Sequence, residues 1–282
     1  MTAQRRQRAR PAEEERFDYE SKQWGAAPVF ARPWYLQGLR LRWALEDLAP
    51  VHGRCLDAGC GAGNMAKALK RARPDLDLVG IDVSRRAIAA AQTSAEGVRF
   101  EHADVEHAPA SLGRFDAVAM FDVLEHLEHP ERALAGVARL LKPGGLFHLA
   151  LPLEDQRWTL HRLLRRRGWR SKVRHSGHVQ AFSAGSFAEL AAAAGLEVER
   201  VRFSSHPLLT LADVGYYIYL DARGGAARSL DDELAEARGA GAKLLRGAKA
   251  AIAATGWWES RLLHRLPGAC GHFTCFRKGS RG

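Results

Sequence analysis

The sequence has little of what would place it in a membrane, a secretory pathway or a disulfide-stapled scaffold. No apolar run approaches the roughly 20 residues needed to cross a bilayer. The longest, near Leu208 and near Ala250, are interrupted by charge or glycine. Residues 1–16, MTAQRRQRARPAEEER, hold no apolar stretch, so no signal-peptide core is expected there. Only four cysteines occur, Cys55, Cys60, Cys270 and Cys275, with no CxxC pair and no Cys/His cluster of zinc-like spacing. That argues against a disulfide framework and for a reducing, cytoplasmic setting. No internal repeat is visible.

What is present is ordinary globular composition. The 282 residues are 46% hydrophobic and 26% charged, enough to build one large domain around a packed core. The formal net charge is +10 and most of the cations are arginine. Such a balance suits nucleic acid, an anionic membrane surface or anionic substrates, or serves solubility alone.

Residues 1–16 read as a charged tail and 17–50 as a helical lead-in, in which Leu36, Leu39, Leu41, Leu45 and Leu48 recur at helical spacing before Pro50. Five apolar runs then alternate with helical segments. The runs are 54–59, 77–84, 98–105, 115–122 and 144–152; the helices are expected at Asn64–Ala72, Arg85–Ala95 and Pro130–Leu141. This alternation predicts βαβ units, a parallel sheet and helices on both faces. Beyond 152 the regularity breaks into a strongly basic stretch. A helix returns after Ser183, a fitting N-cap, and stops at Gly195. Strands are expected at 196–203 and 272–278, separated by an insertion of about 65 residues, 204–269, read as helical.

The chemistry-bearing residues cluster at strand ends. In LDAGCGAGN, residues 56–64, Gly59, Gly61 and Gly63 occupy alternate positions between a strand and a helix. Glycine there permits a tight turn and close backbone approach to a ligand, and the helix N-terminus favours an anionic group. Position 64 is Asn, so the dinucleotide GxGxxG pattern is not met. Asp57 precedes the loop, Asp82 closes the second strand and Asp104 the third. An acid at Asp82 can accept from ribose hydroxyls and one at Asp104 from an adenine amino group. Each alone is as readily a turn or cap residue, but three at successive strand ends converge where open α/β sheets bind ligands.

These segments resemble the class I S-adenosylmethionine-dependent methyltransferases. LDAGCGAG is similar to that family's first motif, GIDVS to the second and HADVE to the third; FDAVAMFDVLEHL and LLKPGGLFHLALP resemble its fourth and fifth strand segments. The resemblance implies a Rossmann-like, mostly parallel seven-stranded sheet with helices on both faces. It implies an N-terminal helical extension and a helical insertion before the last strand, with core 50–203 and 270–279. It also implies S-adenosyl-L-methionine as cofactor. Asp57, Ala58 and Gly59 to Gly63 would surround its methionine part and ribose. Asp82 would bind ribose, Val83 pack on adenine, Asp104 with Val105 read the adenine edge, and Phe121 approach the methionine amino group.

DVLEHLEHPERAL, 122–134, is similar to the small-molecule branch typified by ubiquinone O-methyltransferases. Some relatives read ExxEH there and hold a divalent metal; Asp122-x-x-Glu125-His126 has acceptable ligand types. Metal-free relatives carry the same VLEH, so no metal is assigned. Methyl transfer needs mainly alignment of nucleophile, methyl and sulfur. An oxygen nucleophile would also use a base, for which His126 is the first candidate and His178 the second; a hydrogen-bonded structural histidine is the plain alternative for each.

The segment 157–175 gathers eight cations with Trp158 and Trp169. It fits phosphates with stacking surfaces, an anionic membrane, or a solvated face. The expectation is methyl transfer to a small, apolar or aromatic acceptor on oxygen. The alternatives are an RNA methyltransferase using 157–175 and a non-catalytic cofactor-binding protein. Peripheral membrane contact stays open, and no obligate protein partner is evident.

Overall fold

The computed structural model describes residues 29–31, 35–224 and 239–279. The expected tail, 1–16, and parts of the lead-in and insertion lie outside them. Strands β1 (Arg54–Ala58), β2 (Asp77–Asp82), β3 (Arg99–His102), β4 (Phe115–Phe121) and β5 (Leu141–Pro152) alternate with helices α2 (Asn64–Ala72), α3 (Arg85–Gln92) and α4 (Pro130–Leu140). Helix α1 (Leu36–Asp47) precedes them. After β5 come two short helices, α5 (Leu160–Arg166) and α6 (Ser171–Ser176), then α7 (Ala184–Ala193) and β6 (Leu196–Ser204). Helices α8 (Pro207–Ala222) and α9 (Ala240–Leu263) lead to β7 (Cys270–Arg277).

The sheet runs β3-β2-β1-β4-β5-β7-β6. The first five strands pair in parallel, and β7 lies antiparallel to both β5 and β6. Neighbouring residues along each strand feed opposite cores, which is why the strands read as unbroken apolar runs. Cys55, Leu78 and Ala117 face a cluster with Leu41, Leu48, Leu69 and Ile88; Leu56, Val79 and Val118 face one with Leu134, Val137 and Phe187.

The elements depart from the sequence reading mainly at their ends. Helix α3 stops at Gln92 rather than at 95, and the chain turns toward β3 through Glu96 and Gly97, both at positive φ. Edge strand β3 covers four residues of the expected eight, so Asp104 stands two residues beyond it. β5 begins at Leu141, ending α4 one residue early; Leu141 pairs with Phe115 across an irregular register that absorbs Pro143 and Gly144. β7 runs 270–277 rather than 272–278. Ser183 caps α7 by accepting from the Ser186 N–H in a reciprocal capping box, and Gly195 follows at φ 78°.

Helix α1 is tied to the far half of the sheet through a buried acid. Asp47 accepts from His148 Nδ1 (2.7 Å) on β5, Thr274 Oγ1 (2.8 Å) on β7, and Arg200 and Arg202 (2.6 and 2.5 Å) on β6. Burial alone would raise its pKa, but His148, Arg202 and Thr274 overcome this and hold it below the usual value.

Candidate functional site

The glycine loop between β1 and α2 lies at the C-terminal edge of the sheet. Gly59, Gly61 and Gly63 all have positive φ (78°, 52° and 83°), the left-handed region that glycine enters without penalty. A Cβ on Gly59 would stand 2.4 Å from Val123, and one on Gly63 2.5 Å from the Phe100 ring. These two glycines therefore admit neighbouring side chains. The amides of Gly59 and Cys60 donate to the Ile81 carbonyl and that of Gly63 to Cys60, so the loop offers fewer open N–H groups than its sequence suggests.

Asp82 braces this loop. Its Oδ2 accepts from the Gly61 N–H at 2.8 Å and its Oδ1 from the Ser84 N–H at 2.9 Å. Each carboxylate oxygen keeps a second lone-pair direction. Asp57 is buried beneath the loop, and neither of its oxygens has a hydrogen-bond partner among the described residues. Burial and the nearby Asp82 push its pKa up to about 7, against a smaller opposing pull from the Ala66 amide. An orphaned buried carboxyl of this kind is costly, and a cationic or hydrogen-bonding ligand would relieve it.

The other expected cofactor residues divide. Val83, the residue after β2, is 57% exposed. Asp104 accepts from the Glu106 N–H and from His107 Nδ1, both at 2.9 Å. Ala58 and Val105 bury their side chains in the core, so only their backbones can meet a ligand. The Phe121 ring turns toward the α1 side, 5.5 Å from the His148 ring, which leaves its strand-end backbone to face a ligand.

The second half of the site lies beyond β4. Asp122 adopts φ 53°, unusual for a residue with a side chain and a frequent sign of a functional turn. Its Oδ2 pairs with Arg40, reaching over from α1. A 3-10 turn, Leu124–His126, then presents Glu125 and His126. His178, from the loop after α6, meets them: its ring centroid lies 4.8 Å from that of His126, edge to face. One ligand atom from each of Glu125, His126 and His178 falls within 4.8 Å of the others. The structure thus unites both expected catalytic histidines, 52 positions apart, with a carboxyl.

Protonation in this cluster follows its burial. Glu125 is 1% exposed with no hydrogen-bond partner for either oxygen among the described residues. Burial and Asp122 raise its pKa well above the usual value. His126 is lowered to about 4 by burial and by His178, so it is neutral near neutral pH but a weak base. His178 is differently built. Its Nδ1–H donates to Glu154 Oε1 at 2.6 Å, which fixes the tautomer and leaves Nε2 as acceptor. Burial would raise Glu154, but the His178 hydrogen bond and Lys172 hold it low. Lys172 also pairs with Asp213 at 2.9 Å, and His161 with Asp213 at 2.7 Å, joining α5, α6 and α8 behind the cluster.

Arg40 and Glu154 did not emerge from the sequence as site residues. Arg40 is a cation inside a leucine-lined helix, and Glu154 follows the end of β5, where open sheets carry their ligands. Either position was a usable signal.

The basic segment is partly neutralised by acids just before it and on α8. Arg162, Arg165, Lys172 and Arg174 pair with Asp155, Glu154, Asp213 and Asp221, respectively. Among the described residues no helix is long and apolar enough to cross a membrane.

Comparisons with known proteins agree with this geometry. A family profile described as a methyltransferase domain matches residues 32–201. The ubiquinone biosynthesis O-methyltransferase of Paracidovorax citrulli is 35% identical over 143 residues, covering 48% of this chain and 59% of that protein. The chain spans about half to three-fifths of the length of the curated relatives it matches. Among solved structures, the 4+2 cyclase SpnF superposes with TM-score 0.56 at 21% identity, over 91% of this chain and 84% of that one. A putative sarcosine dimethylglycine methyltransferase from Galdieria sulphuraria gives TM-score 0.55 at 16% identity, over 84% of each chain. These structural likenesses speak for the fold alone, since one of the proteins is a cyclase.

Proposed function

Given that the chain belongs to the methyltransferase-domain family and is a class I S-adenosylmethionine-dependent methyltransferase, we propose that it methylates a hydroxyl of a small aromatic or apolar acceptor. The observation that carries this reading is the buried Glu125–His126–His178 cluster backed by Glu154, beside the glycine loop. A hydroxyl must lose its proton to become a good nucleophile, whereas transfer to a neutral amine needs no base beforehand. The ubiquinone O-methyltransferase relatives support oxygen as the acceptor atom.

The residues fit the cofactor. Asp57, Asp82, Val83 and Asp104 would hold it, the loop from Gly59 to Gly63 would face it, and the orphaned Asp57 carboxyl is the group with most to gain. When bound, S-adenosylmethionine supplies a sulfonium-activated methyl group. The chain's own task is then positioning and deprotonation. His178 Nε2, held in its tautomer by Glu154, takes the acceptor proton. His126 is neutral and hydrogen-bonds the acceptor or packs against it. Arg40 holds Asp122 and thereby the turn that carries Glu125 and His126.

The cluster also fits a divalent cation: Glu125, His126 and His178 would hold it, and it would acidify a bound hydroxyl. Two imidazoles and a buried carboxyl that makes no hydrogen bond among the described residues are a suitable donor set. Glu154 behind His178 is the outer carboxylate that metal-binding histidines commonly carry. Calorimetric titration with Mn²⁺ tests this, with loss of binding expected in His178→Gln.

The decisive experiment offers labelled S-adenosylmethionine with a panel of phenols, catechols and amines, and separately with RNA. Methylated phenol or catechol is expected. Transfer to RNA alone would overturn the reading and favour a role for the basic segment 157–175.

A further inference from the structure

A cavity lies at the edge strand of the sheet, with none of the cofactor-loop residues in its wall. It has a volume of about 410 Å³ and sits between α1, β6 and the C-terminal end of α9. Its wall includes Trp43, Glu46, Arg200, Arg202, Arg261 and Arg265. Arg200 and Arg202 are two apart on β6, so strand geometry puts both guanidinium groups on one face.

The charge here is not balanced. Arg202 pairs with Glu46 and Asp47, both at about 2.6 and 2.5 Å, and Arg200 with Asp47 at 2.6 Å. Arg261 lies over the Trp257 ring at 5.0 Å, and no ion pair with an acid forms on Arg261 or Arg265 among the described residues. Four guanidinium groups against Glu46 and Asp47 leave an excess of two positive charges. Arg202 is held in place by Glu46, Asp47 and the Trp43 carbonyl, so Arg261 and Arg265 are the guanidinium groups left to meet a ligand.

We propose that this cleft binds a phosphate group. The ligand class follows from the chemistry: planar guanidinium forks match phosphate oxygens in pairs, and a dianion would neutralise the excess. The volume exceeds that of bare phosphate, so the group would belong to a larger molecule. Leu262 and Leu266, 75% and 55% exposed beside the cleft, make a phospholipid headgroup one source and a soluble phosphorylated metabolite the other. Neither the cofactor reading nor the identity of the methyl acceptor is needed for this site.

The test compares the full-length wild type with the double variant Arg261→Gln/Arg265→Gln. Both positions are exposed, and neither belongs to the cofactor loop or the histidine cluster. Thermal unfolding of both proteins is the folding control and should give the same midpoint. Inorganic phosphate is titrated calorimetrically, and sedimentation is measured with vesicles of phosphatidylcholine, with and without phosphatidylglycerol. Phosphate binding weakened by about tenfold or more in the variant supports the site with a soluble source. Binding to phosphatidylglycerol vesicles alone, lost in the variant, supports it with a lipid source. Absence of both, or equal binding by both proteins, overturns it.

Discussion

Asp47 and Asp57 stand ten residues apart, both carboxyls and both buried, yet their surroundings are opposite. Asp47 receives four donors from three strands and its pKa is held low. Neither Asp57 oxygen makes a hydrogen bond of good geometry among the described residues; the Ala66 amide opposes its burial only weakly, and its pKa rises to about 7. A buried acid surrounded by partners is part of the framework. A buried acid without them is a cost the fold carries, and such costs persist where a ligand relieves them.

The largest expected effect breaks the framework side of this pair. Asp47→Ala strands His148 and Arg202 without their acceptor in the interior, and should cost about 3–5 kcal/mol in urea unfolding. Asp57→Asn should do the reverse. It leaves the unliganded protein as stable or more so above pH 7, while weakening S-adenosylmethionine binding by about tenfold or more in calorimetry. Comparable stability loss in both variants would erase the distinction.

The pH dependence sharpens it, because the two acids have opposite signs. Asp57 is raised in the folded state, so its contribution is intact below its unfolded pKa near 4 and is lost as pH climbs to about 7, on the order of 4 kcal/mol. Asp47 is lowered, so its contribution is present above about 4 and disappears as pH falls through its folded value. Removing Asp57 should therefore flatten the stability curve between pH 4 and 7. Binding of the cationic cofactor should release a proton in that range, detectable as a buffer-dependent heat.

At the histidine cluster, His178→Gln should lower kcat about a hundredfold with cofactor affinity unchanged, and Glu154→Gln less, since it removes only the tautomer lock. A large change in cofactor affinity would instead assign His178 to the cofactor pocket. The smallest expected effect is Thr274→Val, which deletes one neutral donor to Asp47 and should cost about 1 kcal/mol.

The two aspartates also differ in how plainly the sequence announces them. Asp57 sits in a contiguous string, LDAGCGAGN, whose strand, turn and helix are all local, and the first five strands and three helices between them were legible for the same reason. Asp47 ends an unremarkable helix; its partners at 148, 200, 202 and 274 come together only through the order of the sheet. The acceptor side shares that character. Arg40, Asp122, Glu154 and His178 arrive from four separate segments, so VLEH could be read but its surroundings could not. Edge strand β3 was overdrawn because apolar residues continue past it into a turn, where Val105 packs in the core without a strand neighbour.

Strand β7 has a consequence for the timing of synthesis. It slots between β5 and β6, yet follows β6 by the entire insertion. On a ribosome adding ~5–20 residues per second, those 65 positions take roughly 3–13 s. Throughout that interval β5 shows an open ladder to solvent and β6 has no sheet to join. Until the closing strand emerges, Asp47 lacks its threonine donor and α1 has only part of its seat. The nascent chain at this stage is therefore a natural client for holding factors, and a ribosome stalled between codons 204 and 270 would present one half-finished sheet edge to the next.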